Sequence, residues 1–396
     1  MELKMLHNRL ETLAVFRALL KDPVIAGLQA FFSNPTPGNY AAFAAALYDA
    51  NGGALDQHLL RLCREDENVC VRMAAGGETL PAYLKQALET ELQTLQAISE
   101  LTPGALCALI PEAPPLPGFA SGGTDLPGAV AEQLAHIDQR GYGKFAAHHV
   151  FRSEAGQLIP VAHPDPIRID ELVGYERERG IVMANTRALL QGKPAANLLL
   201  TGDAGTGKSS TIKAVANALA AEGLRLVELR RDQLTLLPQL LTALAENPMK
   251  FILFIDDLSF LTDDESFNAL KAALEGGVSA RSRNVVIYAT SNRRHLVKER
   301  FTDREGDDVH CSDTLQELKS LSDRFGRQIT FQKPDKAAYL HIVERLAADS
   351  GLSMDAKDLF GYAERLALER GGRSARLARQ AVDRLLSNQK DCAQSI

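Results

Sequence analysis

Apolar residues follow two different spacing patterns along this chain, and the change between these patterns divides the chain into a front part and a back part. In LPAYLKQALETELQTLQAISEL the apolar positions fall three or four residues apart, which is the spacing of one helix face. This predicts a helical N-terminal domain over residues 1–102. Six prolines and five glycines then crowd residues 103–128, which is typical of a linker. Residues 129–166, with one short helix and a candidate strand pair, are expected to connect the two parts.

From residue 167 onward, short apolar runs alternate with helical patterns. The runs NLLLTG, LRLVELR, KFILFID and RNVVIYATSN are continuous rather than alternating, as in strands buried on both faces. Strands that alternate with helices predict an α/β fold with a parallel sheet covered on both sides. We therefore expect an αβα domain over residues 167–334. The remaining residues, 335–396, show helical patterns alone and are expected to form a small helical lid domain.

The turn between the first of these strands and its helix carries the string GDAGTGKS. It matches G-x-x-x-x-G-K-[ST], the P-loop, in the strand–turn–helix context that the motif requires. Glycines let successive backbone N–H groups point at phosphate, and the helix N-terminus adds a positive dipole end. Lys208 is expected to reach the β- and γ-phosphates, and Ser209 to ligate Mg²⁺. The predicted ATP-binding residues of this segment are Gly202, Asp203, Ala204, Gly205, Thr206, Gly207, Lys208, Ser209 and Ser210.

Two adjacent carboxylates, Asp256 and Asp257, end the apolar run KFILFIDD. Like charges beside a buried strand are costly unless a cation sits there. In a P-loop protein the aspartate that ends such a strand holds magnesium, so Asp256 is the second predicted Mg²⁺ residue. Asp257 is expected to orient the attacking water at the γ-phosphate. The alternative is that Asp257 caps the turn or helix that follows.

Composition and charge limit the classes of function. The net charge of −6 lies within residues 1–160, and the remainder is neutral, so the front part lacks the basic footprint of a nucleic-acid reader. The five cysteines show no metal-ligand spacing, and His148 and His149 would face opposite sides of a strand. MELKMLHNRLETLAVF has the pattern of an amphipathic helix rather than the apolar block expected of a signal peptide, and no apolar run in this sequence approaches the length needed to cross a bilayer. We expect a soluble cytoplasmic protein with reduced thiols and no membrane partner.

The strings GDAGTGKS, FILFIDD, SLSDRFG and the Asn292 that ends VVIYATSN together resemble the AAA+ ATPase superfamily. With DDLSF and ATSNRRHL, they are closest to an uncharacterised bacterial AAA+ family catalogued as domain of unknown function 815, over about residues 145–385. The resemblance implies an ATPase with a P-loop αβα core and a helical lid, with ATP as substrate and Mg²⁺ as cofactor. The family's usual carboxylate pair is Asp-Glu. Aspartate at position 257 is one methylene shorter and reaches less far toward the water.

The resemblance also assigns residues outside the P-loop. The segment DELVGYE resembles the lining of the adenine pocket, with Val173, Gly174 and Tyr175 as the expected contacts. Asn292 resembles the sensor-one residue, which hydrogen-bonds the γ-phosphate or the attacking water. Its alternative is an asparagine that merely forms a turn.

Two arginines carry the remaining roles that the resemblance implies. Arg324 in SDRFG resembles the arginine finger of the Holliday-junction branch-migration motors, and its alternative is a salt bridge to Asp323 or another carboxylate. The string ERGGRSARLARQ resembles the start of the sensor-two helix. Arg376 fits its register best, and Arg373 is the alternative.

The family resemblance implies a homo-oligomer, such as a hexameric ring, that acts on a macromolecular client, either protein or nucleic acid. RRDQLTLLPQ stands where protein unfoldases carry an aromatic-apolar-glycine loop, and it has neither an aromatic residue nor a glycine.

Residues 301–319 are acidic and are expected to form a surface loop, in which His310 and Cys311 do not make a metal site. Three arginine pairs could meet phosphate, and the favoured alternative for each is a solvated or interface charge: Arg230 and Arg231, Arg281 and Arg283, Arg293 and Arg294. Two alternatives are a nucleotide-dependent switch with little hydrolysis and a P-loop kinase.

Overall fold

The computed structural model describes residues 3–112, 114–258, 265–275, 283–292 and 323–394. The chain divides into two compact units, one formed by Met1–His148 with Asn247–Met249 and the other by His149–Glu246 with Lys250–Ile396. Within the described ranges, no helix is both long enough and apolar enough to cross a membrane.

Helices around an aromatic core build the first unit. Phe31, Tyr40 and Phe43 are fully buried and meet edge to face. Asp22 caps the second helix by accepting the N–H groups of Val24 and Ile25. The helices are α1 (Leu3–Glu11), α2 (Pro23–Ser33), α3 (Pro37–Asn51), α4 (Leu55–Glu65), α5 (Val69–Ala75), α6 (Ala82–Ser99), α7 (Pro103–Cys107), α8 (Leu126–Ala135), α9 (Ile137–Arg140) and α10 (Lys144–Ala147), with a 3₁₀ helix at Arg17–Lys21.

The described residues of the predicted linker, 103–112 and 114–128, pack into this helical unit rather than forming a free linker. Leu106 and Leu126 are fully buried in its core. The backbone of Ala120 accepts a hydrogen bond from Leu55 N–H at 2.9 Å and donates one to Gly53 at 2.8 Å. The proline and glycine content predicted a flexible segment. Burial of Leu106 and Leu126 in the core instead stabilises an ordered conformation.

A seven-stranded sheet forms the centre of the second unit. Its order is β2-β1-β4-β5-β6-β3-β7. All neighbouring pairs are parallel except the hairpin of β1 and β2. The strands are β1 (Val150–Glu154), β2 (Gln157–Pro160), β3 (Leu198–Gly202), β4 (Leu224–Leu229), β5 (Lys250–Ile255), β6 (Val285–Ser291) and β7 (Arg327–Phe331).

The predicted connecting segment 129–166 is shared between the two units. Its helices, up to Ala147, lie in the first unit, whereas β1 and β2 join the sheet. The reason is the parallel pairing of β1 with β4, in which Val150 lies opposite Leu226. The sheet unit therefore begins near residue 149 rather than at the expected 167.

Helices cover the sheet and form the C-terminal part of the same unit. The described helices that accompany the strands are α11 (Glu176–Leu190), α12 (Lys208–Leu219), α13 (Leu237–Ala245) and α14 (Glu265–Glu275), with 3₁₀ helices at Ala220–Glu222 and Arg231–Leu236. The lid consists of α15 (Lys336–Asp349), α16 (Ala356–Glu369) and α17 (Ala375–Gln394), which share a core that includes Tyr339 and Ala363. The predicted α/β class, with a mostly parallel sheet, a helical N-terminal region and C-terminal helices, is confirmed.

Candidate active site

Three loops meet at one edge of the sheet, because parallel strands all present their carboxyl ends on the same side. The P-loop follows β3, the aspartate pair follows β5, and Asn292 follows β6. The register pairs Ile255 with Ala289 and Thr201 with Ser291. The next residues along these strands are therefore neighbours, and polar side chains from three strand ends come together.

Glycines give the P-loop its path. Gly205 and Gly207 have φ of 79° and 89°, a left-handed backbone that side chains disfavour. A Cβ on Gly202 would overlap the carbonyl oxygen of Phe331 on the adjacent strand β7. Helix α12 starts at Lys208, directly after Gly207, so its first free N–H groups face the loop. This arrangement is a cradle for an anion.

Lys208 is the buried cation of this cradle, with 5% of its surface exposed. Its ammonium donates to the carbonyls of Gly202 and Asp203 at 2.7 and 2.8 Å, and to Asn292 Oδ1 at 3.0 Å. Burial lowers the pKa of Lys208, whereas the nearby carboxylates, foremost Asp203, act to raise it. The pKa of Lys208 lies below the ordinary value for lysine, because the effect of desolvation is larger than the attraction of these carboxylates.

Asp256 joins the P-loop to β6 through one carboxylate oxygen. Its Oδ1 accepts the hydroxyl of Ser209 at 2.6 Å and that of Thr290 at 2.5 Å. The Ser209 hydroxyl keeps its lone pairs when it donates in this way. A carboxylate and a hydroxyl are the oxygen ligands that Mg²⁺ prefers, so the donor set fits this ion. Among the described residues, no group of three His, Cys, Asp or Glu side chains is placed to hold a metal.

Asp257 faces Asn292 in an unusual backbone conformation. Its φ is 51°, in the left-handed region, which aspartate tolerates better than most residues. Asn292 Nδ2 donates to Asp257 Oδ1 at 2.7 Å. Asn292 thus bridges the P-loop lysine and the second aspartate, which a purely turn-forming asparagine would not do. The residues that Asp257 would cap in the alternative interpretation, beyond Leu258, lie outside the described part of the chain.

The expected adenine contacts lie where β7 ends and the lid begins. The Tyr175 ring stacks at a tilt on Phe331, with centroids 5.2 Å apart, and its hydroxyl donates to the carbonyl of Gln332 at 2.7 Å. Burial, with smaller contributions from the charges of Glu178 and Asp203, raises the pKa of Tyr175 to about 12. Val173 packs on the lid core, and a Cβ on Gly174 would touch Ile342 of α15. Phe331 therefore connects this segment to the P-loop.

The two lid arginines have different surroundings. The Arg373 guanidinium makes two 2.8 Å hydrogen bonds to the carboxylate of Glu364, which raises the pKa of Arg373 and lowers that of Glu364. Arg376 has an exposed side chain, and its backbone N–H donates to the carbonyl of Gly205 at 3.1 Å. Arg373 therefore forms an ion pair within the lid, whereas Arg376 lies beside the P-loop.

The family model described as protein of unknown function, DUF815, matches residues 144–389. The chain belongs to this family. Several solved structures of variants of RuvB from Thermotoga maritima also match. Two of them are 16% and 17% identical, with a TM-score of 0.38, over 55% of this chain and 64% of the RuvB chain. The chain thus spans less than two thirds of the length of these solved chains. No curated protein matches.

Arg324 of this DUF815 protein lies away from its own P-loop. It precedes β7, and the register pairs Arg327 with Leu198 at the start of β3 and Phe331 with Gly202 at its end. At ~3.3 Å per residue, β7 alone separates the two ends by about 13 Å. Arg324 lines a cavity of about 960 Å³ at the amino edge of the sheet, together with Arg283 and Arg327.

Among the described arginines that could meet phosphate, Arg283 lines a different cavity from Arg230 and Arg231. Arg230 pairs with Asp232 at 3.3 Å. Arg230 and Arg231 line a cavity of about 700 Å³ that Asp256 also borders. Arg281, Arg293 and Arg294, and the segment 301–319 with His310 and Cys311, lie outside the described residues.

Sequence reasoning missed two residues of this site. Phe331 contacts both Gly202 and Tyr175, but only the strand order makes it a neighbour of the P-loop. Thr290 contacts both aspartates. Its signal in the DUF815 sequence is a hydroxyl two residues before Asn292, since side chains two apart on a strand share a face.

Proposed function

We propose that this chain binds Mg-ATP at the P-loop and hydrolyses it to ADP and phosphate. The observation that carries the proposal is the hydrogen-bonded series Lys208–Asn292–Asp257 beside the Ser209–Asp256 pair. It unites a phosphate-binding cation, an amide, a second carboxylate held by that amide and a magnesium donor set at one helix N-terminus. Each group matches one requirement of phosphoryl transfer to water, which depends on positioning and charge neutralisation.

The residues would divide the reaction as follows. The P-loop amides and Lys208 would bind the β- and γ-phosphates, and Ser209 and Asp256 would hold magnesium. When bound, Mg²⁺ neutralises charge on the phosphate oxygens. Asp257 and Asn292 position a water whose oxygen attacks the γ-phosphorus while the bond to the β-phosphate oxygen breaks. Asp257 accepts a hydrogen bond from this water and takes its proton as the new P–O bond forms, while ADP leaves with the electron pair of the broken bond.

We further propose that the site is shared between subunits of a homo-oligomer. Arg324 lies at the amino ends of the parallel strands, whereas the P-loop lies at their carboxyl ends. This is too far for Arg324 to reach the phosphates bound by its own P-loop. An arginine there can complete the site of a neighbouring copy. A finger supplied in this way raises the rate of hydrolysis by roughly 10³ to 10⁵.

Coupling to a macromolecular client rests on the lid. Its helix α17 begins with a backbone contact to Gly205, the centre of the P-loop, and Val173 packs on the lid core. A phosphate that enters the P-loop therefore displaces or tightens lid contacts, and lid movement is available to remodel or load a partner, protein or nucleic acid. A switch with little hydrolysis is the second candidate, since Asp257 Oδ1 is engaged by Asn292.

Nucleotide binding tests the P-loop assignment. Lys208→Ala removes the cation that neutralises phosphate, so we expect affinity for a fluorescent ATP analogue to fall by about tenfold or more. Lys336→Ala, which removes an exposed lysine at the start of α15, is the matched control and should bind as the wild type does. Circular dichroism verifies that both variants fold. A folded Lys208→Ala protein with undiminished affinity would contradict the proposal.

A further inference from the structure

Thr290 lies between the two aspartates and is 2% exposed. Its hydroxyl donates to Asp256 Oδ1 at 2.5 Å and accepts the backbone N–H of Asp257 at 2.9 Å. The pairing of Ile255 with Ala289 brings Thr290 beside Asp256. One buried side chain therefore contacts both carboxylate residues of the candidate site.

The first contact orients the carboxylate of Asp256. Its Oδ1 accepts the hydroxyls of Ser209 and Thr290 and the N–H of Asp257. No described residue donates to Oδ2. Three donors on one oxygen fix the rotation of the carboxylate and leave the other oxygen for a cation or for water bound to it. Partners of a metal ligand act in this way, by orienting the ligand rather than by touching the metal.

The second contact supports the backbone of Asp257. Asp257 has φ of 51°, which costs free energy for any residue that carries a side chain. Its N–H has two acceptors, Thr290 Oγ1 at 2.9 Å and Asp256 Oδ1 at 3.1 Å. The shorter bond belongs to Thr290. From this backbone position the short Asp257 side chain meets Asn292 at 2.7 Å.

We propose that Thr290 is a positioning residue for Mg-ATP, an inference that rests on the proposed function. Its hydroxyl holds Asp256 in the orientation that receives magnesium and holds the strained backbone from which Asp257 faces the γ-phosphate. The role uses a hydroxyl, because its single oxygen both donates to the Asp256 carboxylate and accepts the Asp257 N–H. Valine has the same shape but would place a methyl group against the Asp256 carboxylate.

The experiment measures how binding of a fluorescent ATP analogue depends on Mg²⁺ concentration. For Thr290→Val we expect half-maximal Mg²⁺-dependent binding to need about tenfold more Mg²⁺ than in the wild type, the usual effect of losing a partner of a metal ligand. Binding without Mg²⁺ should be unchanged, because the P-loop is untouched. Thr290→Ser keeps the hydroxyl and should restore the wild-type Mg²⁺ dependence. If Thr290→Val does not fold, Thr290→Ala carries the same expectation.

Thr186→Val is the matched control. Thr186 is also fully buried in the sheet unit, and its hydroxyl contacts the Val182 carbonyl and the Tyr288 hydroxyl, away from the aspartates. It should lower thermal stability without changing the Mg²⁺ dependence. A wild-type Mg²⁺ dependence in Thr290→Val, or an equal defect in Thr290→Ser, would overturn the role of Thr290 alone. Absence of Mg²⁺-dependent binding in the wild type would overturn the proposed function as well.

Discussion

The residues of the candidate site come from distant parts of the sequence, and strand ends bring them together. Lys208, Ser209 and Asp256 follow from local strings, because the P-loop and the strand-end aspartate each have a fixed place relative to a strand. Thr290 and Phe331 do not, since their roles depend on which strands are neighbours and in which register. A sequence alone does not give that register.

The Asp-Asp pair illustrates a second limit at the residue scale. From the sequence, an aspartate at position 257 has a shorter reach than the glutamate usual in the resembling superfamily. The structure adds a left-handed backbone at Asp257, with its N–H held by Thr290 and its carboxylate held by Asn292. Backbone conformation at one position cannot be derived from side-chain identity, although it decides where the carboxylate points.

At the scale of elements, apolar runs predicted where the strands lie but carried no information on which strands are neighbours. Continuous apolar strings located β3, β4, β5 and β6, because strands buried on both faces need them. The hairpin β1–β2 joins the sheet because Val150 of β1 pairs with Leu226 of β4. The local sequence of the hairpin does not predict this pairing. Prolines and glycines masked the buried Leu106 and Leu126 in the predicted linker.

The lid helices give a prediction that separates two nearby arginines. Arg376→Ala should slow ATP hydrolysis by about tenfold or more, since it removes a cation beside the P-loop. Arg373→Ala should leave hydrolysis near the wild-type rate and lower the melting temperature, because it breaks the pair with Glu364. Steady-state phosphate release and thermal melts of both variants check this. The opposite pattern would make Arg373 the sensor.

The stability effect of Arg373→Ala should depend on pH. Arg373 holds the pKa of Glu364 below its ordinary value, so the pair stabilises the fold above the unfolded-state pKa of that carboxyl. This stabilisation is lost as pH falls through the lowered folded-state pKa. The melting temperatures of the wild type and Arg373→Ala should therefore differ near neutral pH and converge in acid.

The whole molecule joins a helical unit to a sheet unit with a lid, and its proposed activity requires more than one copy. Lys208→Ala keeps its Arg324 and loses its P-loop cation, whereas Arg324→Ala keeps its P-loop. Each variant alone should be inactive. Mixing them creates interfaces that have both residues, so phosphate release should reappear once subunits exchange.

Two controls make the mixing experiment decisive. Exchange of subunits is followed independently, by energy transfer between labelled copies. A mixture of Lys208→Ala with the double variant Lys208→Ala, Arg324→Ala has no intact P-loop and should stay inactive. Demonstrated exchange without recovered hydrolysis would exclude a shared site and would favour a monomeric enzyme or an arginine that acts within its own subunit.

Phosphate release by Asp257→Asn tests the central claim, hydrolysis of Mg-ATP at this site, most directly. Asparagine keeps the size of the side chain, so we expect Mg-ATP to bind as in the wild type. Because asparagine accepts hydrogen bonds from water less strongly than aspartate, we expect the steady-state rate of phosphate release to fall by about a hundredfold or more, as for loss of a general base. Binding of the fluorescent analogue measured on the same samples confirms that the site is intact. Equal rates of phosphate release by the wild type and Asp257→Asn would contradict the account.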